Sequence, residues 1–362
     1  MELRAIVLAT ICATVSGWAF SFGVGSQAVS AWLSELGASQ TVIGWAHSFY
    51  YFGMAAGSFA IPAFVQRLGV VPNVALGGIV SALTIAIFPV LDNELAWYVA
   101  RFVNGWGGAM CVVPLETIVS RDSTPERKTL HFAFYGVAIT LGGAMGLGLA
   151  PFLFAWSQTF AFLAAAAGAT FAGTMVVLGM RGYPDAIEND LTGVPLGWRT
   201  NFLSYGTAWS QGFLEGALVA FLQLFLIQRG LQSEEAGILV AISTVGVILF
   251  QVPASLVSDR FGKTPTLLAC YLVVMLGLVA IPWLGSVRWL AIVLFIFGGC
   301  TGAMYPLGLS LLSDRLPTSS LARAYAWYLV IECVGSQLGA AATGLARDTL
   351  GPASMFAVML VA

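Results

Sequence analysis

Charge is what this 362-residue chain has least of: Asp, Glu, Lys and Arg together make up 9%, against 59% hydrophobic residues. A soluble domain carries roughly 25% charged residues to cover its surface, so the composition excludes a soluble globule and reads as a membrane protein. Cysteine is scarce as well. Cys12, Cys111, Cys270, Cys300 and Cys333 all stand inside apolar runs, with no metal-ligand or redox spacing, and read as small buried side chains. With two histidines, no phosphate loop and no nucleophile–base spacing, the chain offers nothing from which to build an enzyme, a nucleotide-driven pump, a metal centre or a cofactor site. A net charge of -2 leaves nucleic acid no basic face to bind.

Long apolar runs are what the sequence has in quantity. Backbone amides in hydrocarbon must be paired internally, and runs of about 20 apolar residues select helices over barrel strands. The opening stretch, MELRAIVLATICATVSGWAFSFGVGSQAV, is too long and apolar for the core of a cleavable signal and reads as the first span. Polar breaks place spans near 5–30, 41–65, 72–91, 95–119, 130–155, 158–180, 201–228, 235–257, 265–285, 288–312 and 323–346, with a twelfth opening at about 352. The predicted class is an all-α polytopic membrane protein.

Orientation follows from the basic residues of the short loops. With the N-terminus cytoplasmic, Arg4, Arg67, Arg121, Arg127, Lys128, Arg181, Arg199, Arg260, Lys263, Arg315 and Arg323 lie inside, and only Arg229, Arg288 and Arg347 lie outside. Arg101 falls within the fourth span. The expected location is a bacterial inner membrane.

The sequence also repeats. At an offset of 193, Gly44 meets Gly237, Gly53 meets Gly246, Arg67 meets Arg260, Gly69 meets Gly262 and Pro72 meets Pro265. The same offset pairs Phe20 with Phe213, Gly37 with Gly230, Tyr135 with Tyr328, Gly142 with Gly335 and Gly146 with Gly339. In the fourth pair a shift to 194 aligns Gly108–Met110 with Gly302–Met304. This predicts a duplicated six-helix unit, 1–180 and 199–362, joined by a polar cytoplasmic linker at 181–198. Six is even, so the halves are parallel repeats related by a pseudo-twofold axis along the membrane normal. The end of span 6 near Met180 places the end of span 12 near 180 + 193 = 373, so the sequence is expected to stop inside its last helix.

These features resemble the major facilitator superfamily across the whole chain. Members carry a turn between their second and third spans, roughly Gly-x-Leu-x-Asp-Arg-x-Gly-Arg-Arg, repeated between the eighth and ninth. Here the second copy keeps Asp259, Arg260, Gly262 and a basic Lys263, while the first keeps Arg67 and Gly69 but has Gln66 in place of the acid. The resemblance implies a conformational latch: a glycine allows the tight turn, and acid and base bond to helix ends and to each other, stabilising the outward-open state. With Gln66 present, the first latch is expected to be weak. Arg101, followed by small residues in RFVNGWGGA, matches a second pattern tied to proton transfer in some members. A snorkelling anchor near the outer surface is the competing reading. A third pattern, Gly-x-x-x-Gly-Pro of proton antiporters, is half present, since Leu147 follows Gly146; close helix packing by small residues accounts for these glycines equally well.

The resemblance further implies a monomer in the bilayer, without cofactor, moving a small-molecule substrate held between its halves by alternating access, with protons as the coupling ion. The first and fourth spans of each half would surround the solute. Glu215 and Glu332 stand mid-span, and an acid in hydrocarbon is costly unless it exchanges a proton, pairs with a cation or bonds a neighbouring helix. They are the candidates for coupling, and packing is their alternative role. Gln27, Trp18, Asn104, Trp106, Trp209, Gln211 and Tyr305 are the polar and aromatic candidates around the solute, with His47 and Tyr328 at the seam. Many aromatics and mid-span acids favour an amphipathic or cationic solute, as in drug/proton efflux. A sensor or assembly factor that keeps the fold without transport is the second class.

Overall fold

The structure, a computed structural model, describes residues 3–38, 40–183, 197–317 and 320–362. Most of the linker expected at 181–198, namely 184–196, lies outside the described residues. Twelve α-helices are found among them: α1 (Ala5–Glu35), α2 (Gln40–Leu68), α3 (Val70–Ala86), α4 (Glu94–Asp122), α5 (Lys128–Trp156), α6 (Gln158–Gly179), α7 (Phe202–Gln228), α8 (Ser233–Phe261), α9 (Lys263–Ala280), α10 (Val287–Arg315), α11 (Leu321–Leu350) and α12 (Ser354–Val361). The first eleven are long and apolar enough to cross a membrane. The chain is an integral membrane protein.

Local chemistry sets the helix ends. Asn93 Oδ1 accepts the Ala96 amide at 2.9 Å and Ser157 Oγ that of Phe160 at 3.4 Å, which caps α4 and α6. Gly69 (φ 85°) and Gly262 (φ 96°) take left-handed backbone that a side chain would strain, and so separate α2 from α3 and α8 from α9 within one residue.

The chain divides into two compact units. The first comprises Met1–Thr124, Ala138–Val194 and Leu316–Val330; the second comprises Pro125–Val137, Pro195–Arg315 and Ile331–Ala362. The start of α5 thus belongs to the second unit and the start of α11 to the first. These two helices are themselves mates in the repeat, since 128 + 193 = 321.

The repeat extends to helix ends. Adding 193 to Gln40 and Leu68 gives Ser233 and Phe261, the ends of α8, and adding it to Glu94 and Asp122 gives Val287 and Arg315, the ends of α10. The helices therefore hold 193 in the fourth pair too. The 194 alignment is one residue out of register, a chance match of small residues within otherwise unbroken helices.

Glycine contacts repeat in the same way inside each unit. A Cβ at Gly53 would run into the Phe102 carbonyl, and one at Gly246 into that of Phe295. Gly105 meets the Tyr50 carbonyl as Gly298 meets that of Ser243, and Gly142 meets that of Ser16 as Gly335 meets that of Trp209. Every position and its mate differ by 193. Lipid gives two helices no hydrophobic reason to associate, so close backbone approach at small residues holds them by dispersion.

Candidate functional site

The first unit is organised around a buried cation. Arg101 of α4 is 1% exposed, although it stands within two turns of the helix start. Its Nε donates to the Ala46 carbonyl of α2 at 3.3 Å, one terminal nitrogen donates to Asn104 Oδ1 at 3.2 Å, and the other reaches Ser26 Oγ of α1 at 3.5 Å. The guanidinium carbon lies 4.5 Å from the centre of the Tyr50 ring. Asn104 in turn donates from Nδ2 to the Ser81 carbonyl at 3.1 Å and to Thr84 Oγ1 at 3.0 Å, both on α3. His47 Nε2 is 2.7 Å from Ser30 Oγ and close enough to interact with the Arg101 charge. Helices α1, α2 and α4 thus supply neutral dipoles to one cation, α3 braces it through Asn104, and among the described residues no carboxylate pairs with it. The snorkelling reading fails because the side chain turns inward onto these partners.

Sequence reasoning named Arg101, Asn104 and His47 separately, and the structure brings them together. Trp18 joins through rings: its centroid is 6.2 Å from that of Phe22, which lies 4.9 Å from that of Tyr50. Trp106 packs on Gly57, Gln27 is exposed, and Tyr328 is buried elsewhere in the first unit. Ser30, Ser81 and Thr84 were missed. Their signal was short polar residues at helical spacing, Ser26 with Ser30 and Ser81 with Thr84, within otherwise apolar spans.

In the second unit, α7 and the later part of α11 meet through glycines. Gly212 faces the Glu332 carbonyl and Gly216 that of Ser336. Glu215 sits between those glycines on α7, halfway along a membrane helix, without a cation among the described residues. Both Glu215 and Glu332 interact electrostatically with Cys333, which places the two acids around one point of this crossing. One turn before Glu215, Gln211 holds a buried Oε1 that no described donor satisfies. Trp209 packs against Gly335, and Tyr305 is half-buried on α10.

At the α8–α9 turn, the ion pairing falls to the lysine. Lys263 Nζ is 2.5 Å from Asp314 at the end of α10, and Lys128 lies 3.9 Å from the same carboxylate. Asp259 takes a hydrogen bond from Thr129, whose hydroxyl is also 2.9 Å from Ser310 Oγ, and Arg260 lies over the Phe261 ring at 5.4 Å. Asp259, Gly262, Lys263 and Asp314 line a cavity of about 430 Å³. Arg67, the mate of Arg260, is exposed and forms no ion pair among the described residues. Because the Asp314 side chain is 37% exposed, its pairs contribute about 1 kcal/mol or less. Asp314→Asn is therefore expected to shift the unfolding temperature in detergent only slightly, and a loss of more than ten degrees would mark the pair as structural.

The family model of the major facilitator superfamily matches residues 6–230 and again 205–362. The chain belongs to the major facilitator superfamily. Its relatives include an uncharacterized MFS-type transporter, YfkF of Bacillus subtilis, 25% identical over 95% of this chain and 88% of the relative. YcaD of Escherichia coli, also an uncharacterized MFS-type transporter, is 25% identical over 91% and 85%. Among solved structures, the human organic anion transporter MFSD10 (TETRAN) superimposes with TM-score 0.78 at 14% identity, covering 98% of this chain and 96% of that one. The Escherichia coli fucose:proton symporter FucP gives 0.75 at 13%, covering 99% and 98%. These distant likenesses establish the fold of a transporter superfamily.

Proposed function

We propose that this superfamily member is a secondary transporter that moves a small amphipathic or cationic organic solute by alternating access, coupled to protons through Glu215 and Glu332. The observation that carries the reading is Glu215: a carboxylate at mid-membrane, without a cation among the described residues, beside a second acid and the unsatisfied Gln211 Oε1. Such a group faces water or a passing cation rather than lipid tails. The proton-coupled fucose symporter of the same fold lends support. In this reading the latch turns and the halves 1–180 and 199–362 act as the moving parts, and the protein works as a monomer in a bacterial inner membrane with its N-terminus cytoplasmic.

The test is uptake into proteoliposomes under an imposed proton gradient, with tetraphenylphosphonium as the probe cation. Wild type is expected to accumulate the probe, and Glu215→Gln and Glu332→Gln each to lose gradient-driven accumulation by about tenfold or more, the lower range of measured coupling between sites. Normal accumulation by both variants would remove the coupling assignment. Wild type that leaves the probe at equilibrium would remove the cationic solute.

A further inference from the structure

We propose that Cys270 and Cys300 form an oxidisable dithiol, a modification site that bridges α9 to α10 inside the second unit. The two thiols come from different helices, are 7% and 8% exposed, and lie in the same apolar cluster with Leu267, Val274, Phe297 and Met304. Their side chains are close enough to interact with each other. Two neighbouring thiols on adjacent helices of one buried cluster are a different case from a solitary buried cysteine, because each supplies the partner that the other needs.

The repeat gives independent support. Subtracting 193 from 270 and 300 gives Gly77 and Gly107, the mates of the two cysteines on α3 and α4. In the first unit a Cβ on Gly77 would lie 2.7 Å from the Gly107 carbonyl oxygen, and one on Gly107 would lie 2.9 Å from that of Gly77. These two positions are therefore where the equivalent helices touch, backbone against backbone. In the second unit the same touching positions carry thiols. A disulfide needs Cα atoms within roughly 7 Å and Cβ atoms turned toward each other, and the contacts of Gly77 with Gly107 show that close approach at the mated positions.

The chemistry balances with a two-electron oxidant. Both S–H bonds break, one S–S bond forms, and two protons and two electrons pass to the oxidant. With diamide they convert its N=N bond into a hydrazine. The pair is closed off from water by the apolar cluster, so a membrane-permeant oxidant reaches it and water-borne glutathione or maleimide does not. The bridge joins two helices of one unit, so it stiffens that unit.

The full chain has five free cysteines, and the other three have no thiol partner: Cys111 faces the Val74 carbonyl, Cys333 sits beside the acids, and Cys12 lies on α1. The experiment treats purified full-length protein in detergent with diamide, then unfolds it and counts the remaining thiols by maleimide mass tagging. Wild type is expected to fall from five tags to three and to yield one cross-linked peptide joining Cys270 to Cys300. Cys270→Ala and, separately, Cys300→Ser should keep all four of their tags. Five tags on oxidised wild type would overturn the proposal, as would a cross-link between other cysteines or between two chains, or tags lost from either variant. None of these outcomes depends on the transported solute, so failure here leaves the transport reading standing, and the reverse also holds.

Discussion

Arg101→Met is expected to remove transport while leaving the unfolding temperature unchanged or slightly higher. A fully buried arginine in a membrane helix costs up to about 2.5–3.5 kcal/mol, the insertion-scale figure for a helix centre. Against this stand three hydrogen bonds to neutral acceptors, each worth about 0.6 kcal/mol between membrane helices, and a cation-π contact worth about 2 kcal/mol when desolvated. The two sides nearly cancel, so the guanidinium contributes little net stability. Methionine fills much of the same volume without a charge to desolvate. Activity should nonetheless fall by about tenfold or more, since a charge maintained at no net gain in stability is kept for a conformational or coupling step.

Lysine separates this account from a structural one. Arg101→Lys keeps the charge but loses the planar fork that serves Ala46, Asn104 and Ser26 together. It should therefore be less stable than Arg101→Met, a reversal of the ordering expected from chemical similarity. The measurements are thermal unfolding of purified protein and gradient-driven uptake of tetraphenylphosphonium. A methionine variant that unfolds ten or more degrees early, or that still accumulates the probe, would show the guanidinium to be a packing element.

Much of this architecture could be read directly from the chain, for identifiable reasons. Apolar runs locate membrane helices because hydrocarbon tolerates little else, and the offset of 193 survived because the repeated positions are glycines whose size the contacts dictate. Gly53 and Gly246, matched by letter alone, meet carbonyls at mated positions. Gly44 and Gly237 match as well, yet nothing lies within 4 Å of either, so letter identity does not by itself reveal a contact. Arg101 was legible as a costly residue, but its partners were not. A backbone carbonyl such as that of Ala46 carries no residue-specific signal, and Ser81 and Thr84 lie on a helix whose rotation no sequence pattern fixed. The exchange of the α5 and α11 starts between units was likewise hidden, because hydropathy gives a span its length and not its neighbours. Cys270 and Cys300, 30 positions apart, came together only once the α9–α10 crossing was known.

Gly105→Leu and Gly298→Leu are expected to be the most damaging single substitutions, and to damage equally. Gly105 of α4 lies on the Tyr50 carbonyl of α2, and its mate Gly298 of α10 lies on the Ser243 carbonyl of α8. These helix pairs, α2 with α4 and α8 with α10, make the most extensive contacts in their respective units. In both places the obstacle is backbone, which cannot swing aside as a side-chain tip would, so the helices must part along their length. Overpacking a well-filled interior costs about 1–3 kcal/mol and sometimes more, and parting the Tyr50 segment also pulls the ring off Arg101. A leucine gains only about 1 kcal/mol over glycine in helix propensity, which does not offset this. Both variants should give little folded protein on size-exclusion chromatography, whereas Gly237→Leu, with open space around it, should behave as wild type. Because the two sites are mates under one packing rule, folded yield from one with loss of the other would show that the repeated contact is not what holds these helices together.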